Sequence, residues 1–166
     1  MYTIIAGTNR RDSNSLKVGR TYQRILTKKG ISSKISSLED LDLNYRSDSM
    51  VKFEKEFLIP SQKFIFIVPE YNGSYPGVLK SLIDLSLIKD CWYGKKVLLT
   101  GVATGKGGNI RGMEHLTGSL NYLQVFVHPN KLPISSVHEL MGEDGNIVDD
   151  KTLDIIDQQI NDFIKF

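Results

Sequence analysis

Residues 64–68 read Phe-Ile-Phe-Ile-Val, apolar at every position. A strand with one face in water alternates apolar and polar side chains, because successive residues point to opposite faces. A strand that is apolar throughout is covered on both faces, which is the mark of a central strand in a parallel sheet with helices on either side. The rest of the chain supplies the other parts. Strand-like runs occur at Tyr2-Thr3-Ile4-Ile5-Ala6, near residues 32–36, at 97–103 and near 124–127. Helical patterns fall between and after them. This alternation predicts an α/β three-layer sandwich built on a five-stranded parallel sheet, with residues 1–166 as one domain.

The helix signals are local. Ser13 is placed to cap a helix over about 14–29, with Leu16, Val18, Ile25 and Leu26 candidates for its buried side and Gly30 its stop. Ser47-Asp48-Ser49 offers caps for a short helix carrying Val51, Phe53, Phe57 and Leu58, ended by Pro60. Further helices are expected at about 78–88, 109–120 and 151–164. Residues 37–44 and the stretch holding Pro129 and Pro133 read as loop, and Gly142–Gly145 as an exposed turn.

Three polar loops follow strands one, three and four. In a flavodoxin-like sheet of order 2-1-3-4-5, ligands sit beyond the carboxyl ends of the strands, at the switch point between strands one and three. The first loop, Gly7-Thr8-Asn9-Arg10-Arg11-Asp12-Ser13-Asn14-Ser15, suits a phosphate. Its helix start offers backbone N–H groups and a favourable dipole, Thr8, Ser13 and Ser15 add hydroxyls, Arg10 adds a charged fork, and Asn9 or Asn14 adds an amide. Asp12 would repel a phosphate and is expected to face solvent. The second loop, Pro69-Glu70-Tyr71-Asn72-Gly73-Ser74-Tyr75-Pro76-Gly77, suits a flat ring. Tyr71 can flank it, Asn72 and the backbone of Glu70 to Ser74 can meet a pyrimidine edge, and Gly73 permits close approach. The third, Thr104-Gly105-Lys106-Gly107-Gly108, adds a third wall. Read singly, the first loop is also an ordinary capped turn and the third a flexible one. Read together, the three point to flavin mononucleotide (FMN).

Composition removes other classes. The net charge of +2 is too small for nucleic acid and disfavours an acidic electron carrier. No apolar run approaches the ~20 residues of a membrane span. The single cysteine, Cys91, permits no internal disulfide and reads as a half-buried thiol. No secretory signal is visible, so a reducing cytoplasm is expected. G-x-G-x-x-G is absent after strand one, as are a complete P-loop and a G-x-S-x-G elbow. His115, His128 and His138 show no metal-ligand spacing. Lys80 and Asp84 form an i,i+4 pair on the helix after the second loop, either a surface ion pair or a subunit contact.

The three motifs in this order, with Val78-Leu79-Lys80-Ser81-Leu82-Ile83-Asp84 after the second, resemble the NADPH-dependent FMN reductase family, which includes chromate, quinone and azo-dye reductases. The resemblance covers nearly the whole chain. It implies a flavodoxin-like fold and a homodimer or homotetramer. It implies FMN phosphate on Thr8–Ser15, isoalloxazine against Pro69–Ser74, and Thr104–Gly108 closing the pocket. It also implies NADPH or NADH as a passing reductant, and a small-molecule acceptor such as a quinone, free flavin, azo dye or metal oxyanion. Thr8 stands where serine is usual, and Ser81 and Leu85 where the family often has Asn and an aromatic residue. The segment between Leu43 and Lys63 is short, which predicts a more open pocket there. Hydride transfer needs no acid or base from the protein, in keeping with the lack of a triad or carboxylate pair. The rival readings are a flavodoxin-type one-electron carrier and a non-catalytic nucleotide-binding protein of the same fold.

Overall fold

The computed structural model describes all 166 residues. Its sheet is centred on β1 (Tyr2–Ala6) and β3 (Lys63–Pro69), which pair in parallel from Tyr2–Lys63 to Ala6–Ile67. β2 (Ser33–Ser37) flanks β1, and β4 (Lys96–Val102) flanks β3. The order is β2-β1-β3-β4-β5, the flavodoxin-like order expected from the sequence. The fifth place differs. Two short segments fill it: β5 (Phe126–Val127) pairs with Lys96–Val97, and β6 (Leu132–Ile134) pairs with Thr100–Val102. The sheet therefore has six strands, not five, and part of the stretch read as a proline loop is strand. Pro133 fits within β6 because that strand lies at the sheet edge, where the missing N–H leaves no ladder bond unmade. Gln124, read as strand, has φ of 57° and lies in the turn before β5.

The doubly apolar pattern of β3 works as expected. Phe64, Phe66 and Val68 enter a 20-residue core with Ile5, Val97 and Leu99, beneath α2 (Asp48–Phe53), α3 (Gly77–Leu85) and α5 (Ile110–Tyr122). Ile65 and Ile67 enter a second core with Ile4 and Leu98, beneath α1 (Asn14–Lys28) and α6 (Asp150–Lys165). Each such side chain contributes about 1.5–3 kcal/mol on full burial. No helix is long and apolar enough to cross a membrane.

The helix expected over 78–88 is two pieces, α3 and a short α4 (Ile88–Cys91). The break has a local cause. The Ser86 hydroxyl donates to the Ile83 carbonyl at 2.9 Å and accepts the buried Trp92 indole N–H at 2.7 Å. Trp92 fills the space under Phe64 and Phe66. Cys91 beside it is fully buried, not half-buried, and burial pushes its thiol up to about 12. After Phe53 the chain continues as a π-helical turn, Glu54–Leu58. Buried Glu54 meets the Arg46 guanidinium at 2.5 Å and accepts the Leu87 N–H at 2.8 Å, tying this turn to the α3–α4 junction.

Candidate functional site

Because β1, β3 and β4 are parallel neighbours, their carboxyl ends reach one edge of the sheet together. A cavity of about 300 Å³ opens there. The first loop lines it with Thr8 and Arg10 to Ser15, the second with Pro69, Glu70 and Tyr71, and the end of β4 with Val102, Ala103 and Thr104. Val137, from a single 3-10 turn after β6, completes the wall.

The first loop leaves its donors free. Ser13 caps α1, its hydroxyl accepting the Leu16 N–H at 3.2 Å. The backbone N–H groups of Arg11 through Ser15 donate to no backbone acceptor. Ser15 Oγ is buried and has no hydrogen-bond partner. An unsatisfied buried hydroxyl costs about 1–3 kcal/mol, so its place on a cavity wall asks for an explanation. An anion with several acceptor oxygens matches this set of converging N–H and O–H groups at a helix start. Arg10 supplies positive charge, its guanidinium lying 4.3 Å above the centre of the Tyr71 ring. Tyr71 in turn hydrogen-bonds Thr8 Oγ1 at 2.5 Å, so the second loop is fastened to the first across the cavity. Asp12 turns outward as expected, its side chain 73% exposed and paired with Lys17 at 2.8 Å. Arg11 reaches away to Glu39 at 3.0 Å.

The structure therefore gathers Thr8, Arg10, Ser13, Asn14, Ser15, Pro69, Glu70, Tyr71 and Thr104 around one cavity. It does not bring the other sequence candidates to that wall. Asn9 lines a neighbouring recess of about 270 Å³ with Leu41, Leu43, Asn44, Val78 and Ser81. Asn72 and Gly73, with φ of 51° and 76°, form a two-residue turn closed by hydrogen bonds between Tyr71 and Ser74. Those angles are what Asn-Gly favours in a tight hairpin, so the dipeptide is spent on turning the chain. Ser74 Oγ bonds His115 Nδ1 at 2.9 Å. The third loop supports β6 and α5. The Gly105 carbonyl accepts the Ser136 N–H, the Lys106 carbonyl accepts the Ser135 hydroxyl, and the Gly107 carbonyl accepts the Ile110 N–H. Gly108 packs beneath Pro133. Val102, Ala103 and Val137 were not among the sequence candidates. They are apolar, and nothing in a linear pattern separates them from core.

A flavodoxin-like sheet with a donor-rich first loop facing two further loops defines a nucleotide-binding α/β protein of the flavoprotein class. Comparison with known proteins gives the family. The model of the NADPH-dependent FMN reductase family matches residues 2–139, and the chain belongs to that family. It is an oxidoreductase with FMN as cofactor and NAD(P)H as reductant. An NAD(P)H-dependent FMN reductase of Pseudomonas aeruginosa is 33% identical over 111 residues, 64% of this chain and 59% of that protein's length. A 2-hydroxy-1,4-benzoquinone reductase of a Burkholderia species is 27% identical, covering 90% of this chain and 86% of the relative. Among solved structures, the flavoenzyme NAD(P)H:(acceptor) oxidoreductase of Paracoccus denitrificans superposes with a TM-score of 0.83 at 22% identity, over 99% of this chain and 94% of that one. At that identity the likeness speaks for the fold.

Proposed function

We propose that this chain transfers hydride from NAD(P)H, by way of bound FMN, to a small-molecule acceptor, and that the acceptor is a quinone. The observation that carries the binding half is the unspent donor set of the first loop, with Ser15 Oγ buried and unpartnered on the cavity wall. In this reading Ser15, Ser13, Asn14 and the N–H groups of Arg11 to Ser15 hold the FMN phosphate. Arg10 neutralises its charge, and Thr8 fixes Tyr71. Pro69, Glu70 and Tyr71 form one wall for the ring. Val102, Ala103, Thr104 and Val137 form the other and keep water from it. FMN supplies the redox chemistry when bound, and the chain supplies binding, orientation and electrostatics. The roles of Asn9, Asn72, Gly73, Ser74, Gly105, Lys106, Gly107 and Gly108 become those of support behind these walls. The quinone is supported by the benzoquinone reductase relative and by a quinone reductase of Escherichia coli, 28% identical over 98% of this chain.

The same reading includes a homo-oligomer. The groove between α3 and α5 holds Lys80, Ile83, Asp84 and Ile88 beside Tyr122, which is 87% exposed. A second copy is the proposed cover, and light scattering of the purified chain tests it.

The functional test is anaerobic absorbance spectroscopy with FMN titration. The expected result is uptake of FMN, bleaching of its visible band by NADPH, and its return on addition of a benzoquinone. A protein that takes up no FMN overturns the binding assignment. A protein that binds FMN but is not reduced by NADPH or NADH leaves the one-electron carrier as the better reading.

A further inference from the structure

Asn109 stands immediately before α5 with φ of 63°, a left-handed conformation, and is buried to 1% exposure. A residue in this place ordinarily caps the helix, its side-chain oxygen accepting an N–H of the first turn. Asn109 makes no such bond. Its amide is spent elsewhere: Nδ2 donates to the Val68 carbonyl and to the Pro69 carbonyl, both at 3.0 Å. These are the last two residues of β3, from which the second loop departs. Its Oδ1 is buried without a partner.

The surroundings are fitted to this side chain. A Cβ on Gly112 would lie 2.1 Å from Asn109 Oδ1 and 2.7 Å from the Ser74 carbonyl carbon. A Cβ on Gly101 would lie 2.1 Å from the Gly108 carbonyl oxygen and 3.1 Å from Asn109 Cβ. One amide thus holds the last two carbonyls of β3 and lies against the first turn of α5. The two walls of the cavity, Pro69–Tyr71 and Val102–Thr104, leave neighbouring strands just where it binds. The common arrangement at this place is a side-chain cap with extended backbone angles. The left-handed backbone and the orphaned oxygen are accepted instead.

We infer that Asn109 is a positioning residue. By holding the Val68 and Pro69 carbonyls it sets the separation of the two ring-binding walls, and through it the affinity for the flavin ring. The inference rests on the FMN reading above. Asn109→Gly keeps the left-handed backbone and removes the amide. Asn109→Asp keeps the shape but has no N–H to give to two carbonyls. Affinities of each variant for FMN and for riboflavin, which lacks the phosphate, are measured by quenching of flavin fluorescence, with thermal melts alongside. Leu120→Ala, in the α5 core away from the cavity, serves as a destabilised control.

Each Asn109 variant is expected to lose about ten-fold in affinity, the worth of a hydrogen-bonded contact of ~1.4 kcal/mol, for FMN and riboflavin alike. The ratio of the two affinities stays as in the wild type, because the phosphate loop is untouched. Unchanged affinities in both variants overturn the inference. An equal loss in Leu120→Ala, or a loss confined to FMN, also overturns it, because the role would then be general stability or the phosphate loop. A wild-type chain that takes up no FMN overturns the cavity reading and this inference with it. A wild type that binds FMN beside variants that bind it equally well overturns the inference alone.

Discussion

The first and third loops look alike on paper and differ in the folded chain. Both follow a strand, both precede a helix, and both are built from small or hydroxyl-bearing residues around a cation, Arg10 in one and Lys106 in the other. In the first loop five successive N–H groups and the Ser15 hydroxyl have no acceptor in the chain. In the third loop three carbonyls are taken by Ser136, Ser135 and Ile110, the N–H groups of Thr104 to Asn109 also have no acceptor in the chain, and only Thr104 reaches the cavity. The difference teaches that composition and free N–H groups nominate a binding loop, while whether the fold turns those groups to the cavity decides it.

The largest effect should come from Gly108→Ala. Gly108 has φ of 56°, and a Cβ there would meet Pro133 Cβ at 2.6 Å. Backbone strain and overpacking together should cost about 3 kcal/mol of stability, read as a fall in the denaturant midpoint. A neutral outcome would mean that the third loop is not the rigid support described here. Ser15→Ala should act in the opposite manner, on binding and not on stability. The FMN dissociation constant should rise about ten-fold through loss of a charge-assisted hydrogen bond, while riboflavin affinity stays level. A parallel loss for both flavins would erase the contrast between the loops.

Glu54→Gln provides a reference away from both loops. Burial pushes the Glu54 carboxyl up, but the Arg46 hydrogen bond, the Leu87 N–H and the Arg46 charge outweigh it and hold the group below its ordinary value of 4.5. A depressed carboxyl stabilises the fold above its unfolded-state value, and that contribution is lost as pH falls through the folded-state value. Wild type should therefore exceed Glu54→Gln by about 1 kcal/mol at neutral pH, with the difference closing below about pH 4. Urea titrations at several pH values check this, and FMN affinity should not change at neutral pH. The smallest effect belongs to Gly105→Ala. Nothing lies within 4 Å of a Cβ at that position, so stability and FMN affinity should both stay within about 0.5 kcal/mol of wild type. A loss of FMN binding there would return the glycine-rich loop to the cavity wall.

Much of this protein was set by local sequence. The doubly apolar run 64–68 requires cover on both faces, and with four other strand signals and alternating helices it leads to the β2-β1-β3-β4-β5 order. Ser13 as a cap, Asp12 as an outward carboxylate and the Lys80–Asp84 pair at 2.6 Å follow from one or two turns of chain. The Asn72-Gly73 turn was equally legible, since Asn-Gly is a strong hairpin signal, but its neighbours Tyr71 and Ser74 drew the dipeptide into the site. Tertiary structure alone decided the rest. The split of the fifth strand depends on which half of β4 each segment meets. The place of Val137 on the cavity wall depends on the path of the chain after β6. Asn109 holding carbonyls 40 and 41 residues away, and Ser15 being left without a partner, depend on what distant segments present to them. Periodicity and capping act over a few residues and can be read in order along the chain. Whether a donor is spent is settled by packing between segments far apart in sequence, and only the folded molecule brings them together.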